Sequence, residues 1–160
     1  CSSDLYDHGY LETILAEKGA ELLIETIDRL EKGIAPRIRQ DNELTCYASQ
    51  ITSEDERIDW SQPAISIHNR IRALSPAPGA WFSLNGYKIK VFRSEVQDSQ
   101  ESGVVSSIVE VGKDSFKVQS GQGIIEIMEV QREGKRRMSV RDFLQGNKLE
   151  PGTLLTHSEG

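Results

Sequence analysis

Apolar residues follow three successive patterns along this chain. From residue 10 to residue 32 they recur every three or four positions, and Leu11, Ile14, Leu15, Leu22, Leu23, Ile27 and Leu30 form one broad stripe, the pattern of an amphipathic helix. Glu25 with Arg29, and Asp28 with Lys32, are spaced for surface ion pairs, and Gly33 followed by Pro36 ends the element. Residues 36–59 then lose all periodicity. They are polar, with acidic clusters at Asp41/Glu43 and Glu54/Asp55/Glu56, and read as a connector with a turn of helix near Ser53. Helical spacing returns once, at Ala64, Ile67, Ile71 and Leu74, with Ser61 as the expected N-cap and Pro63 in the first turn, and Pro76, Pro78 and Gly79 stop it.

Beyond Pro78 the period switches to two. Residues 80–84 and 87–93 flank Asn85-Gly86, a strong hairpin signal; 104–111, 116–119 and 124–130 follow, broken at Gly112 and Gly121-Gln122-Gly123, and a short strand is expected at 153–155. Ser139 and Asp142 have capping-box spacing at the head of a short helix that carries Phe143 and Leu144 and ends at Gly146. Many short antiparallel strands hide their edges best by curling up. The expected fold class is therefore mainly β, a small OB-like antiparallel β-barrel. No nearby segment reads as a sheet for the leucine-rich stripe of the first helix, so that stripe is expected to pack on something other than the barrel.

Composition sharpens this reading. At 160 residues, 37% hydrophobic and 28% charged, the chain has a globular composition, and no run is long enough to span a bilayer. Cys1 and Cys46 lack disulfide or metal spacing, and no signal peptide is evident, so free thiols and a cytoplasmic location are expected, with no membrane partner. The net charge of −6 is unevenly spread. Residues 1–59 hold 6 Lys/Arg against 14 Asp/Glu, a net of −8, and residues 60–160 hold 13 against 11, a net of +2. The acidic runs lack any His or Cys at ligand spacing and read as a solvated face.

Candidate chemistry concentrates in the back half. Arg132-Glu133-Gly134-Lys135-Arg136-Arg137 places three consecutive basic residues after a glycine turn, where they can fan over one surface toward phosphates; a solvated loop is the alternative. Lys88 and Lys90 alternate with Tyr87, Ile89 and Val91 and share one hairpin face, where they extend such a surface or protect a sheet edge. Arg93 falls on the other face unless a bulge intervenes. Arg70 and Arg72 lie about 200° apart on their helix and cannot serve one phosphate track. Trp81, Phe82, Phe92 and Phe116 fit core packing better than base stacking. His68 and Asn69, adjacent on a helix, point about 100° apart and do not converge; His8 and His157 offer no relay.

Residues 58–92 together with 129–143 (EVQREGKRRMSVRDF) resemble the carboxy-terminal half of the bacterial-type methionyl-tRNA formyltransferase family, and the front of the chain resembles the end of that family's catalytic domain. The resemblance implies residues 1–43 as an α-helical remnant of a Rossmann-like α/β domain, 44–60 as an interdomain linker, and 61–157 as an OB-like tRNA-binding domain. It also implies an intact one-carbon transferase, monomeric, that moves a formyl group from 10-formyltetrahydrofolate to the methionyl amino group of initiator tRNA. The family's catalytic Asn, His and Asp and its folate cleft would lie before Cys1, so no catalytic, cofactor-binding or metal residue is expected here. The resemblance implies that Gly134-Lys135-Arg136-Arg137-Met138 matches the family's tRNA-facing basic motif, and Arg132, Lys88 and Lys90 are taken with it as candidate tRNA contacts on their local pattern. Two departures stand out: Ala77 where the family usually has Trp, and Ser102-Gly103 where it often has Pro-Gly. Two rivals remain: a related enzyme acting on a small amine, and a docking barrel that touches no nucleic acid.

Overall fold

A computed structural model describes residues 6–97 and 103–155; Cys1, Ser102 and His157 lie outside them. The chain divides into two compact units, Cys1–Ile51 and Thr52–Gly160.

In the first unit, α1 runs over His8–Glu31. It starts two residues ahead of the apolar stripe because the Asp7 carboxylate accepts from the Tyr10 N–H at 2.9 Å, satisfying one of the free donors of the first turn. Gly33, at a φ of 70°, closes its end. No residue of α1 is buried, and Leu15, Leu22 and Leu30 are each about three-fifths exposed. A single 3₁₀ turn follows at Asn42–Leu44.

The second unit holds α2 (Ala64–Ala73), β1 (Ala80–Leu84), β2 (Tyr87–Gln97), β3 (Ile108–Val111), β4 (Phe116–Gln119), β5 (Ile124–Arg132), β6 (Met138–Ser139) and α3 (Val140–Gly146). The strands form one antiparallel sheet in the order β1-β2-β5-β4-β3, with β6 added to β5. The expected mainly β, OB-like closed barrel is therefore corrected to a mixed α/β domain on an open sheet: β1 and β3 are its two ends, and no ladder joins them.

Each end is covered by irregular chain. Along β1 the Trp81 N–H donates to Glu56 O and the Ile58 N–H to Trp81 O, both at 2.8 Å. Along β3 the Ile108 N–H donates to Thr153 O at 2.9 Å and Gly152 N–H to Ile108 O at 2.7 Å. Sheet edges need partners for their backbone groups, and these two straps supply them without closure. The segment expected as a last strand, 153–155, thus contributes an isolated bridge from Leu154 to Ser107.

The core lies between the sheet and its two helices. Ile67 and Ile71 of α2 and Phe143 of α3 are buried, as are Ile89, Val91, Phe116, Ile125 and Ile127 of the strands. Phe82 meets Trp60 and Phe116 edge-on, with ring centroids 5.7 and 6.4 Å apart, so Phe82 and Phe116 fill the core as the sequence suggests, with Trp60 added, whereas Trp81 stands on the other face of β1, partly exposed. Asn85 and Gly86 both take positive φ, 51° and 79°, as a two-residue hairpin turn of this hand requires. Gly121 marks the closest backbone approach: a Cβ there would stand 1.8 Å from Ser61 O, and its own N–H donates to the carbonyls of Trp60 and Gln62. Ser61 is not the cap of α2. Pro63 occupies that position, and the Ser61 hydroxyl donates instead to Asp59 Oδ1 at 2.6 Å.

Candidate nucleic-acid interface

The outer face of β1, β2 and β5 is built by pairing register. Trp81 and Ser83 of β1 stand opposite Lys90 and Lys88 of β2, and Lys90 stands opposite Gln131 of β5. Because side chains alternate across a sheet and Ala80, Phe82, Ile89 and Val91 point into the core, Trp81, Lys88, Lys90 and Gln131 share the other side. The two lysines do stand on one face.

A register shift between Val91 and Arg93 then turns β2. It leaves Arg93 exposed, with its guanidinium 4.0 Å from the neighbouring Glu95 carboxylate.

From β5 the chain passes through a tight loop to β6. The Lys135 N–H donates to Arg132 O at 2.9 Å, and Met138 returns to pair with Val130. A cleft of about 290 Å³ opens between this loop and the hairpin, lined by Lys88, Lys90, Gln131, Glu133 and Gly134.

The six basic residues expected at the surface differ in what already holds them. Lys88 Nζ lies 4.4 Å from the Trp81 ring centroid and 3.8 Å from a Glu56 oxygen. Lys90 Nζ donates to Pro78 O at 2.5 Å. Arg132 stacks on Tyr87 at 3.6 Å, and Arg137 stacks on Phe92 at 4.4 Å while donating twice to Glu129, at 2.7 and 2.6 Å. Lys135 and Arg136 are exposed, and among the described residues their side chains make no ion pair. The structure thus puts Lys88 and Lys90 on one face, sets Arg132 opposite Ile89 and over Tyr87 on the other side of the sheet, and leaves Lys135 and Arg136 the most available.

Sequence reasoning missed Gln131 and Trp81 as neighbours of the lysines, and Tyr87 as the ring under Arg132. Alternation alone could place Trp81 and Ser83 on one side of β1, but only the β2–β5 register puts Gln131 beside Lys90.

His68 and Asn69 go to different partners. His68 Nδ1 lies 3.0 Å from Ser94 Oγ, and Asn69 Oδ1 accepts from Arg72 at 2.9 Å. Burial pushes the His68 imidazole below its ordinary pKa, nearby Arg72 adds to the effect, and Glu95 opposes it. Arg70 donates to the carbonyls of Asp55 and Arg57, at 2.8 and 3.4 Å, and so fastens the strap along β1. Asp114 hydrogen-bonds Arg141, which holds its carboxyl below the usual range. Among the described residues no three His, Cys, Asp or Glu side chains are grouped to hold a metal, and no helix is long and apolar enough to cross a membrane.

An open antiparallel sheet flanked by two short helices, with basic and aromatic side chains on its outer face, is the class of domain defined here. Residues 50–148 match the family described as formyl transferase, C-terminal domain, and the chain belongs to that family. It is 50% identical over 158 residues to the methionyl-tRNA formyltransferase of Syntrophomonas wolfei, covering 98% of this chain and 50% of that protein. It is 45% identical to that of Citrifermentans bemidjiense, covering 88% and 44% respectively. The chain thus spans about half the length of the curated relatives it matches, and the resemblance seen in residues 58–92 and 129–143 is borne out.

Among solved structures, a variant of HypX from Aquifex aeolicus superposes with a TM-score of 0.62 at 18% identity, over 82% of this chain and 24% of that one. HypX in complex with tetrahydrofolic acid gives 0.61 at 16% identity, over 87% and 26%. These likenesses speak to the fold.

Proposed function

We propose that this stretch is the tRNA-backbone-binding part of a methionyl-tRNA formyltransferase. The intact enzyme moves a formyl group from 10-formyltetrahydrofolate to the methionyl amino group of initiator tRNA, in the cytoplasm. The stretch itself contributes binding and no chemistry. One observation carries this reading: exposed Lys135 and Arg136, without an ion pair among the described residues, directly follow Gly134 in the loop that lines a cleft together with Lys88 and Lys90. Ammonium and guanidinium groups arranged this way bind phosphates by direct contact and counterion release, without reading bases. The near-balance of charge in residues 60–160, 13 basic against 11 acidic, limits how many phosphates are neutralised. Affinity therefore falls in the non-specific range, a Kd of about 10⁻⁴ to 10⁻⁶ M, and worsens steeply with salt. The similarity to the Syntrophomonas and Citrifermentans enzymes supports the choice of tRNA as the polyanion and folate as the formyl donor.

The test is a salt titration of tRNA affinity for the chain and for its Lys135→Ala/Arg136→Ala/Arg137→Ala variant. Loss of two to three phosphate contacts flattens the log–log salt slope by about 2 to 3 units. An unchanged slope in a folded variant would assign the loop to solvent and return the domain to a docking role.

A further inference from the structure

We propose that Gln131 accepts a hydrogen bond from a ribose 2′-hydroxyl and so makes the cleft between β2 and the β5–β6 loop selective for RNA over polyanions of equal charge. The inference rests on the reading of this face as an RNA-binding surface.

Gln131 stands opposite Lys90 in the β2–β5 register, so its side chain leaves the sheet on the lysine side. Its Nε2 donates to Lys135 O at 2.7 Å. A carbonyl can only accept, so this bond fixes which end of the amide faces the loop. Gln131 Oε1 is left with no protein partner among the described residues, and it is not among their buried unpartnered atoms. The cleft therefore contains a neutral acceptor held in one orientation before any ligand arrives.

Its neighbours narrow what that acceptor can meet. Lys88 and Lys90 line the same cleft and carry donors only. Lys90 Nζ is tethered to Pro78 O and Lys88 Nζ lies over Trp81, so the lysine stems line the cleft while both ammonium groups lean toward β1, across β2 from Gln131. Gly134 adds no side chain. The other acceptor lining the cleft, Glu133, is exposed and carries a full negative charge, which a phosphate repels. A neutral amide oxygen can stand beside a phosphodiester and a carboxylate cannot. The donor that every RNA residue places next to its phosphate is the 2′-hydroxyl, the group that distinguishes RNA from DNA. Lysines that take phosphates would thus bring that hydroxyl to Gln131 whatever the base.

The experiment compares binding of the chain to a tRNA transcript and to the same transcript with 2′-fluoro riboses, which keep the A-form sugar pucker but cannot donate. One neutral hydrogen bond predicts a preference for the hydroxyl form of about threefold to tenfold. Gln131→Met, which keeps the length and removes the acceptor, should abolish the preference by weakening only the hydroxyl form. Its salt slope should stay unchanged, since no phosphate contact is lost. Lys135→Ala/Arg136→Ala should weaken both forms equally and leave the ratio intact. A Gln131→Met variant that loses both forms in parallel would make Gln131 a loop-ordering residue and overturn the proposal. So would a wild-type ratio near one with steep salt dependence, which leaves the RNA-binding reading standing. Salt-independent binding of the wild type to both forms would overturn that reading and this inference together.

Discussion

Arg137 and Glu129 face each other across the β5–β6 hairpin through two hydrogen bonds of 2.7 and 2.6 Å, with Phe92 under the guanidinium at 4.4 Å. A partly exposed ion pair of this kind is worth at most about 1 kcal/mol to folding. It nevertheless occupies the Nε/Nη2 edge of the guanidinium and offsets its charge with a carboxylate, so Arg137 offers a phosphate fewer donors than its five and a weaker field. Arg137→Ala is therefore expected to weaken tRNA affinity less than Lys135→Ala or Arg136→Ala does. Glu129→Gln, which loosens the competitor, should steepen the salt slope by up to about 0.9 unit, one phosphate contact. Competition titrations at several salt concentrations check both, and a loss led by Arg137 would count against this ranking.

Gly121 sits where a Cβ would come within 1.8 Å of the Ser61 carbonyl, a backbone atom that cannot swing aside. Gly121→Ala must push the 120–123 turn away from residues 60–64 and stretch the bonds from the Gly121 N–H to Trp60 O and Gln62 O. The expected cost is about 1–3 kcal/mol or more. Urea unfolding measures it, and a midpoint equal to the wild type would show that the two segments can separate freely.

His68 gives the second unit a pH dependence. Its folded pKa lies below the ordinary value of 6.5, chiefly through burial, with Arg72 adding and Glu95 opposing. As pH falls through 6.5 the unfolded chain takes up the proton first, so the contribution of neutral His68 is present above that value and is lost as pH drops toward the folded pKa. Melting temperature should fall between about pH 7.5 and pH 5.5, the range in which imidazoles titrate. The fall should be smaller in His68→Gln, which keeps a hydrogen-bonding group near Ser94. Equal pH profiles for the two proteins would place the titrating group elsewhere.

Formyl transfer by this chain alone is expected to stay at background. Among the described residues the imidazole of His68 faces Ser94 while the Asn69 amide oxygen takes Arg72, so the two act separately. Incubating the purified chain with 10-formyltetrahydrofolate and charged initiator tRNA, then measuring formylated methionine, checks this. Turnover typical of an enzyme, about 1 per second or faster, would overturn it.

Features made by neighbours along the chain are legible in the residues themselves. The hairpin at Asn85-Gly86 depends on two residues that tolerate positive φ, and α2 depends on spacing and on the prolines that bound it; both stand as the residues predict, except that Pro63 rather than Ser61 caps α2. The Ser139 cap is equally local, its hydroxyl accepting from the Asp142 N–H at 3.1 Å. What the residues could not reveal arises where distant segments compete. Alternating strands signal edges that need partners, but they do not say whether those partners will be each other or the flanking chain. Glu56 and Ile58 reached β1 and Gly152 and Thr153 reached β3, so the sheet stayed open. The basic cluster shows the same division. Its charges were countable from the sequence, yet only the pairing register set Gln131 beside Lys90 and Glu129 against Arg137. A shift of one residue in that register would reverse every side chain's face, so tertiary packing decided which cations stay available to a phosphate and which are already held.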